Sequence, residues 1–151
     1  MFKKPYTLRN DRKLSDMKLV ELTELQVTDL HVRTVFVVDD NTLVRQMVCT
    51  ILENNGFQVV HADGPASALK LLEQFKTAPD LMICDICMPV MSGPELYQVI
   101  EQRFPAQPVL FITGYPDEYL ERCCTIVTEE SLLRKPFRCA ELVERVGMML
   151  G

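Results

Sequence analysis

From residue 34 onward, short continuous apolar runs alternate with longer amphipathic stretches. "TVFVV" (34–38), "FQVVHA" (57–62), "LMIC" (81–84) and "VLFIT" (109–113) are unbroken apolar or β-branched runs. Runs of that kind suit strands buried on both faces of a sheet. Between the first two, "TLVRQMVCTILENNG" carries apolar residues at helical spacing and ends in Gly56, placed to close a helix C-terminus. "GPASALKLLEQFK" opens on Pro65, and "SGPELYQVIEQRF" repeats the device with Pro94; proline is favoured in a first helical turn because its missing N–H has no partner there in any case. After Thr113, "PDEYLERCCTIV" predicts a short helix, "SLLRK" a weak fifth strand and "FRCAELVERVGMML" a closing helix.

Strands that alternate with helices imply a parallel sheet with right-handed crossovers and helices on both faces. The expected fold class is therefore α/β, a doubly wound five-stranded parallel sheet in a three-layer sandwich, over residues 34–151. Residues 1–33 break the pattern. "MFKKPYTLRNDRK" is polar and locally basic, and the apolar residues of "LSDMKLVELTELQVTDL" are irregularly spaced. This stretch reads as an N-terminal extension or linker, partly helical.

Composition narrows the function. In 151 residues, 48% are hydrophobic and 25% charged, which is globular composition. The formal net charge of -5 leaves no basic field for a nucleic-acid backbone and argues against direct DNA binding. No apolar run approaches the ~20 residues that cross a bilayer, so no membrane insertion and a cytoplasmic location are expected. The six cysteines, without a signal segment, read as reduced thiols. Cys49, Cys123, Cys124 and Cys139 lie in helix-like patterns, where a free cysteine acts as a small apolar residue.

In an open parallel sheet, ligands collect beyond the carboxyl ends of the strands. The first run ends in Asp39 and Asp40, the third in Asp85, the fourth in Thr113, and the weak fifth in Lys135–Pro136. All would face one crevice. Three carboxylates at close range stay ionised together most easily around a divalent cation, and oxygen-only ligands favour Mg²⁺ or Mn²⁺. Thr113 offers a hydroxyl and Lys135 a fixed positive charge, which complement the oxygens of a phosphoryl group. Asp85 would be the nucleophile, forming an acyl phosphate. The competing chemistry is that of Cys84 and Cys87, which flank Asp85. A redox pair needs a helix N-terminus and a zinc site needs two further ligands, for which His31 and His61 supply no spaced set. A continuing strand would also point the two thiols to opposite faces.

"VVDDN", "ICDICMPVMSG", "FITG" and "RKPF", in this order and spacing, resemble the response-regulator receiver domain of two-component signalling, a CheY-like family. The resemblance covers about residues 34–151. It implies a strand order of 2-1-3-4-5 with five helices. It implies that Asp85 accepts a phosphoryl group from a histidine kinase or histidine phosphotransfer protein, and that Asp39, Asp40 and Asp85 hold Mg²⁺ with the backbone carbonyl of Cys87. It further implies that Thr113 and Lys135 bind the phosphoryl oxygens, and that the Lys135–Pro136 bond is cis, an isomer proline makes accessible. Such a domain is a phosphoacceptor rather than an enzyme, and signals to a downstream protein by conformational switching. The family's output face would involve Glu118, Tyr119, Arg122 and the final helix, and a homodimer contact would use the fourth helix, fifth strand and fifth helix. Kinase pairing would depend on the first helix, including Leu43, Val44 and Met47.

Three positions depart from the commoner family residues. Cys87 stands two places after the acceptor. Tyr115, two places after Thr113, is bulky enough to shield a phosphoryl group from water and implies slow loss of phosphate. Leu132 stands three places before the lysine, where the family usually has a Tyr or Phe ring that reports phosphorylation. The chain reads either as a stand-alone regulator or as a receiver excised from a hybrid histidine kinase or larger regulator. The rival readings are a phospho-aspartyl phosphatase, which generally carries a second acid where Cys87 stands, and a phosphate-independent interaction scaffold.

Overall fold

A computed structural model describes residues 31–123 and 125–151. Within them the chain runs β1 (Thr34–Val38), α1 (Thr42–Asn54), β2 (Gln58–Ala62), α2 (Pro65–Leu72), β3 (Leu81–Asp85), α3 (Gly93–Arg103), β4 (Val109–Thr113), α4 (Asp117–Cys123), β5 (Leu132–Arg134) and α5 (Cys139–Leu150). The five strands form one sheet in the order β2-β1-β3-β4-β5, and every neighbouring pair is parallel. The doubly wound α/β fold expected from the alternation is the fold observed. The helix considered for residues 14–30 lies outside the described residues.

The sheet is a partition between two apolar cores because successive strand side chains point to opposite faces. Phe36, Val38, Met82, Cys84 and Phe111 face one way and pack with Ala68 and Leu72 of α2, Leu96 and Ile100 of α3 and Leu120 of α4. Val35, Val37, Leu81, Ile83, Leu110 and Ile112 face the other way, against Val48 and Leu52 of α1 and Leu142 and Val146 of α5. Each such Val, Leu, Ile, Phe or Met side chain, when fully buried, contributes roughly 1.5–3 kcal/mol.

Local chemistry sets where the helices begin and end. The Asn41 side chain accepts the Val44 N–H and opens α1. Gly56, at φ 85°, closes it: its N–H donates to Glu53 O while that of Phe57 donates to Leu52 O, the paired bonds of a left-handed helix stop. At α3 the Ser92 hydroxyl accepts the Glu95 N–H, and the Glu95 carboxylate accepts the Ser92 N–H in return.

Two expectations need correction. β2 is not buried on both faces: Gln58 and His61 are exposed and Val59 and Val60 half-buried. Among the described residues it is an edge strand with one neighbour, so the apolar run marks a partly covered position, unlike β3 and β4, which are buried throughout. α2 stops at Leu72 instead of running to Lys76. There the chain tightens into turns, with Phe75 N–H donating to Leu72 O, and the Phe75 ring packs edge-on against Phe36 at 5.2 Å.

Candidate functional site: an acidic pocket at the carboxyl end of the sheet

Register brings the site together. Val38 lies beside Cys84, Asp85 beside Ile112, and Thr113 beside Arg134. The residues that follow β1 and β5 and those that end β3 and β4 therefore emerge at one level of the sheet. Carboxylate oxygens of Asp39, Asp40 and Asp85 all lie within 4.8 Å of one another. Asp39 and Asp85 are buried and Asp40 is exposed. Lys135 reaches in from beyond β5, its Nζ 3.0 Å from Asp85 Oδ1 and 3.5 Å from Asp39 Oδ2.

Burial pushes the Asp85 carboxyl up to about 6, and the charges of Asp39 and Asp40 add to the rise; Lys135 opposes it. Burial also raises Asp39, against the Asn41 N–H that its Oδ1 accepts at 2.8 Å and against the Lys135 charge. The lysine feels the converse. Burial works against its ammonium, yet Asp85 and Asp39 together hold it above the ordinary lysine value. Among the described residues, the pocket thus sets three acids against Lys135, an excess of negative charge that a hard divalent ion with oxygen ligands would neutralise. The donor set fits Mg²⁺: carboxylate oxygens only, in a mouth that one exposed residue leaves open to water.

Thr113 is buried, and its hydroxyl accepts the Tyr115 N–H at 3.0 Å. The Tyr115 ring is half exposed and stacks on Tyr119 at 5.0 Å. Leu132 is buried in the core shared with α2, α3 and α4, and its carbonyl accepts a hydrogen bond from the Arg145 guanidinium of α5. The Lys135–Pro136 peptide is cis. Glu118 is exposed on α4, and the Arg122 side chain lies outside what the structure describes.

Cys84 and Cys87 do not point to opposite faces: both pack against the same apolar cluster. The strand ends at Asp85, so the alternation assumed for Cys87 has already lapsed. Burial, with the nearby Asp85 and Asp39 charges, holds the Cys84 thiol well above its usual range, which keeps it protonated and inert.

Three further residues shape the pocket. Gly93 opens α3 directly against β3, where any side chain would collide with the Asp85 backbone oxygen and sit 3.0 Å from Cys84 Sγ. Val90 is fully exposed at φ 74°, in a tight turn closed by Met91 N–H on Pro89 O at 2.9 Å. A β-branched residue in that region gives no sequence signal of it. Arg45, half-buried on α1, donates to the Asp39 carbonyl at 2.7 Å; only its place one turn into the helix that follows the acidic pair could have drawn notice.

The family profile of the response regulator receiver domain matches residues 35–147. The chain belongs to this family. Among curated relatives, the response regulator receiver protein CpdR of Brucella abortus is 30% identical over 118 residues, covering 78% of this chain and 97% of its own. The sensor kinase CckA of the same species is 29% identical over 117 residues, again 78% of this chain but only 12% of the kinase. The solved structure of chemotaxis protein CheY4 from Vibrio cholerae superposes with a TM-score of 0.68 at 28% identity, covering 79% of this chain and 99% of that one. A receiver domain is a signalling phosphoacceptor rather than a catalytic enzyme, and receiver domains partner with histidine kinases. The Asp39–Asp40–Asp85 pocket is consistent with that role and typical of a receiver Mg²⁺ site. Among the described residues, no helix is long and apolar enough to cross a membrane.

Proposed function

We propose that this receiver domain takes a phosphoryl group from a phosphohistidine onto Asp85, in the presence of Mg²⁺, and passes the signal to a partner through a shift between two conformations. The observation that carries the reading is the convergence of three carboxylates within 4.8 Å, with Lys135 3.0 Å from Asp85. Asp39, Asp40, Asp85 and the Cys87 carbonyl would hold the ion, whose charge would offset that of the phosphoryl oxygens.

In the transfer an Asp85 oxygen forms the new bond to phosphorus as the bond to the donor imidazole nitrogen breaks, and that nitrogen keeps the electron pair and takes up a proton. Lys135, now paired with Asp85 Oδ1, is in reach to exchange that partner for a phosphoryl oxygen. The Thr113 hydroxyl is the neutral donor for another. With its pKa near 6, Asp85 is mainly ionised at neutral pH and able to act as nucleophile. The Tyr115 ring, seated against Tyr119, would shield the product from water.

The test is intact mass after incubation with acetyl phosphate, with and without Mg²⁺, on wild type and Asp85→Asn. One phosphoryl adduct that requires both the metal and Asp85 is expected, decaying faster in Tyr115→Ala. An adduct that persists in Asp85→Asn would overturn the assignment. No adduct in folded wild type, with phosphorylated histidine kinases also tried as donors, would favour a phosphate-independent scaffold.

A further inference from the structure

Arg45 occupies an electrostatically poor position. It lies close to the start of α1, whose first turn contains no acidic residue. The free N–H groups at a helix start already make that end positive, and a cation there is disfavoured. Side chains also tilt toward the helix N-terminus, which brings the guanidinium back over that turn.

What the residue gains is the backbone of the acidic pair. Arg45 Nη1 donates to the Asp39 carbonyl at 2.7 Å, while the Asp39 N–H donates to the Ala62 carbonyl of β2 at 3.3 Å. Asp39 is thus tied on one side to the sheet and on the other to α1. Its carbonyl belongs to the peptide that leads into Asp40, so the direction of that carbonyl sets how the exposed Asp40 side chain leaves the chain. Across the pocket rim, Asp63 is held below the usual carboxylate range, chiefly by the Ser67 hydroxyl, with Arg45 a lesser contributor. The guanidinium therefore has an anionic neighbour besides the carbonyl it holds.

We propose that Arg45 is a positioning residue for the divalent cation: by pinning the Asp39–Asp40 peptide, it aims both carboxylates at the point where Asp85 meets them. The proposal rests on the Mg²⁺ reading above. Two effects of the residue oppose each other, and the sign of the experiment separates them. As a mere positive charge near the pocket, Arg45 would weaken cation binding, and its removal would tighten it. As a holder of the peptide, its removal would weaken binding; loss of an outer-shell partner typically costs about 10–100-fold in metal affinity.

The experiment is a titration of the full chain with Mg²⁺ alone, followed by backbone amide NMR shifts, for wild type, Arg45→Met, Arg45→Lys and Asp85→Asn, with thermal unfolding of each metal-free protein alongside. The expected result is about a tenfold weaker Kd for Arg45→Met, substantial recovery in Arg45→Lys, and metal-free Tm values that do not track the loss. Binding by Arg45→Met equal to or tighter than wild type, while Asp85→Asn binds poorly, overturns the Arg45 role and leaves the metal site standing. A wild type that takes up no Mg²⁺, or binds it no better than Asp85→Asn, overturns both. A loss of affinity matched by a collapse in Tm for both Arg45 variants would make the residue structural only.

Discussion

Asp85 is only 7% exposed, yet it has two acids for neighbours and one lysine to offset them. Its rise from 3.8 to about 6 makes the metal-free fold pH-sensitive. Below pH 4 the carboxyl is protonated in folded and unfolded chains alike, and it costs nothing. Between about 4 and 6 the folded state keeps a proton that the unfolded state has released. Above 6 both are ionised and the full penalty applies, roughly 3 kcal/mol for a shift of this size. Stability attributable to this group therefore falls as pH rises through the window. Asp85→Asn should make the metal-free protein more stable at pH 7.5 by about 1–3 kcal/mol, with the difference shrinking toward zero near pH 4. Urea unfolding at the two pH values, without metal, measures this, and a constant difference would count against the buried-charge account. The identity of the acids was legible in the sequence because each follows an apolar run. Arg45 and Val90 were not, because one acts through a backbone carbonyl and the other through a backbone angle.

The elements follow the hydrophobic pattern wherever a strand has two neighbours. β1, β3 and β4 coincide with their runs, with β3 reaching one residue further to include Asp85. The pattern failed at β2 because an apolar run does not reveal which strand will stand at the edge, and at α2, where the helix stops at Leu72 and Phe75 packs edge-on against the Phe36 ring instead of continuing the helix. α3 depends on a smaller matter, the missing side chain of Gly93, whose φ is ordinary; space and not backbone freedom requires glycine there. A methyl group would have to displace the Asp85 carbonyl. Gly93→Ala should cost about 1–3 kcal/mol or more, and phosphoryl uptake from acetyl phosphate should fall with it. An alanine variant with wild-type stability would show that α3 can slide away from β3.

At the scale of the whole molecule, the proposed Mg²⁺ would compete with protons for the same three carboxylates. A ligand that binds only the folded state stabilises it by about 2.7 kcal/mol at a hundredfold excess over Kd. For Mg²⁺ that gain should be larger at pH 8 than at pH 5, where the folded Asp85 still holds a proton that the cation must displace. Thermal unfolding at fixed Mg²⁺ and two pH values checks this, and equal Tm increments would place the bound ion away from Asp85. Leu132 fills a core position while its carbonyl is held from α5 by Arg145. The same guanidinium donates to the Glu129 carbonyl at 2.7 Å, and the Glu129 carboxylate pairs with Arg134, the residue before Lys135.

By itself the sequence determined the α/β class, the alternation of elements, the identity of the acids and the lysine, and, through four motifs, the family. These are legible because hydrophobic periodicity and turn chemistry are local, and because parallel strands carry their functional residues at one end. Only the tertiary structure decided that the Cys84 and Cys87 thiols share one apolar cluster, that β2 is a half-covered edge, and that Arg45 grips the Asp39 carbonyl. Each of those depends on where distant segments lie once the sheet has formed, and no local pattern of apolar and polar residues encodes it.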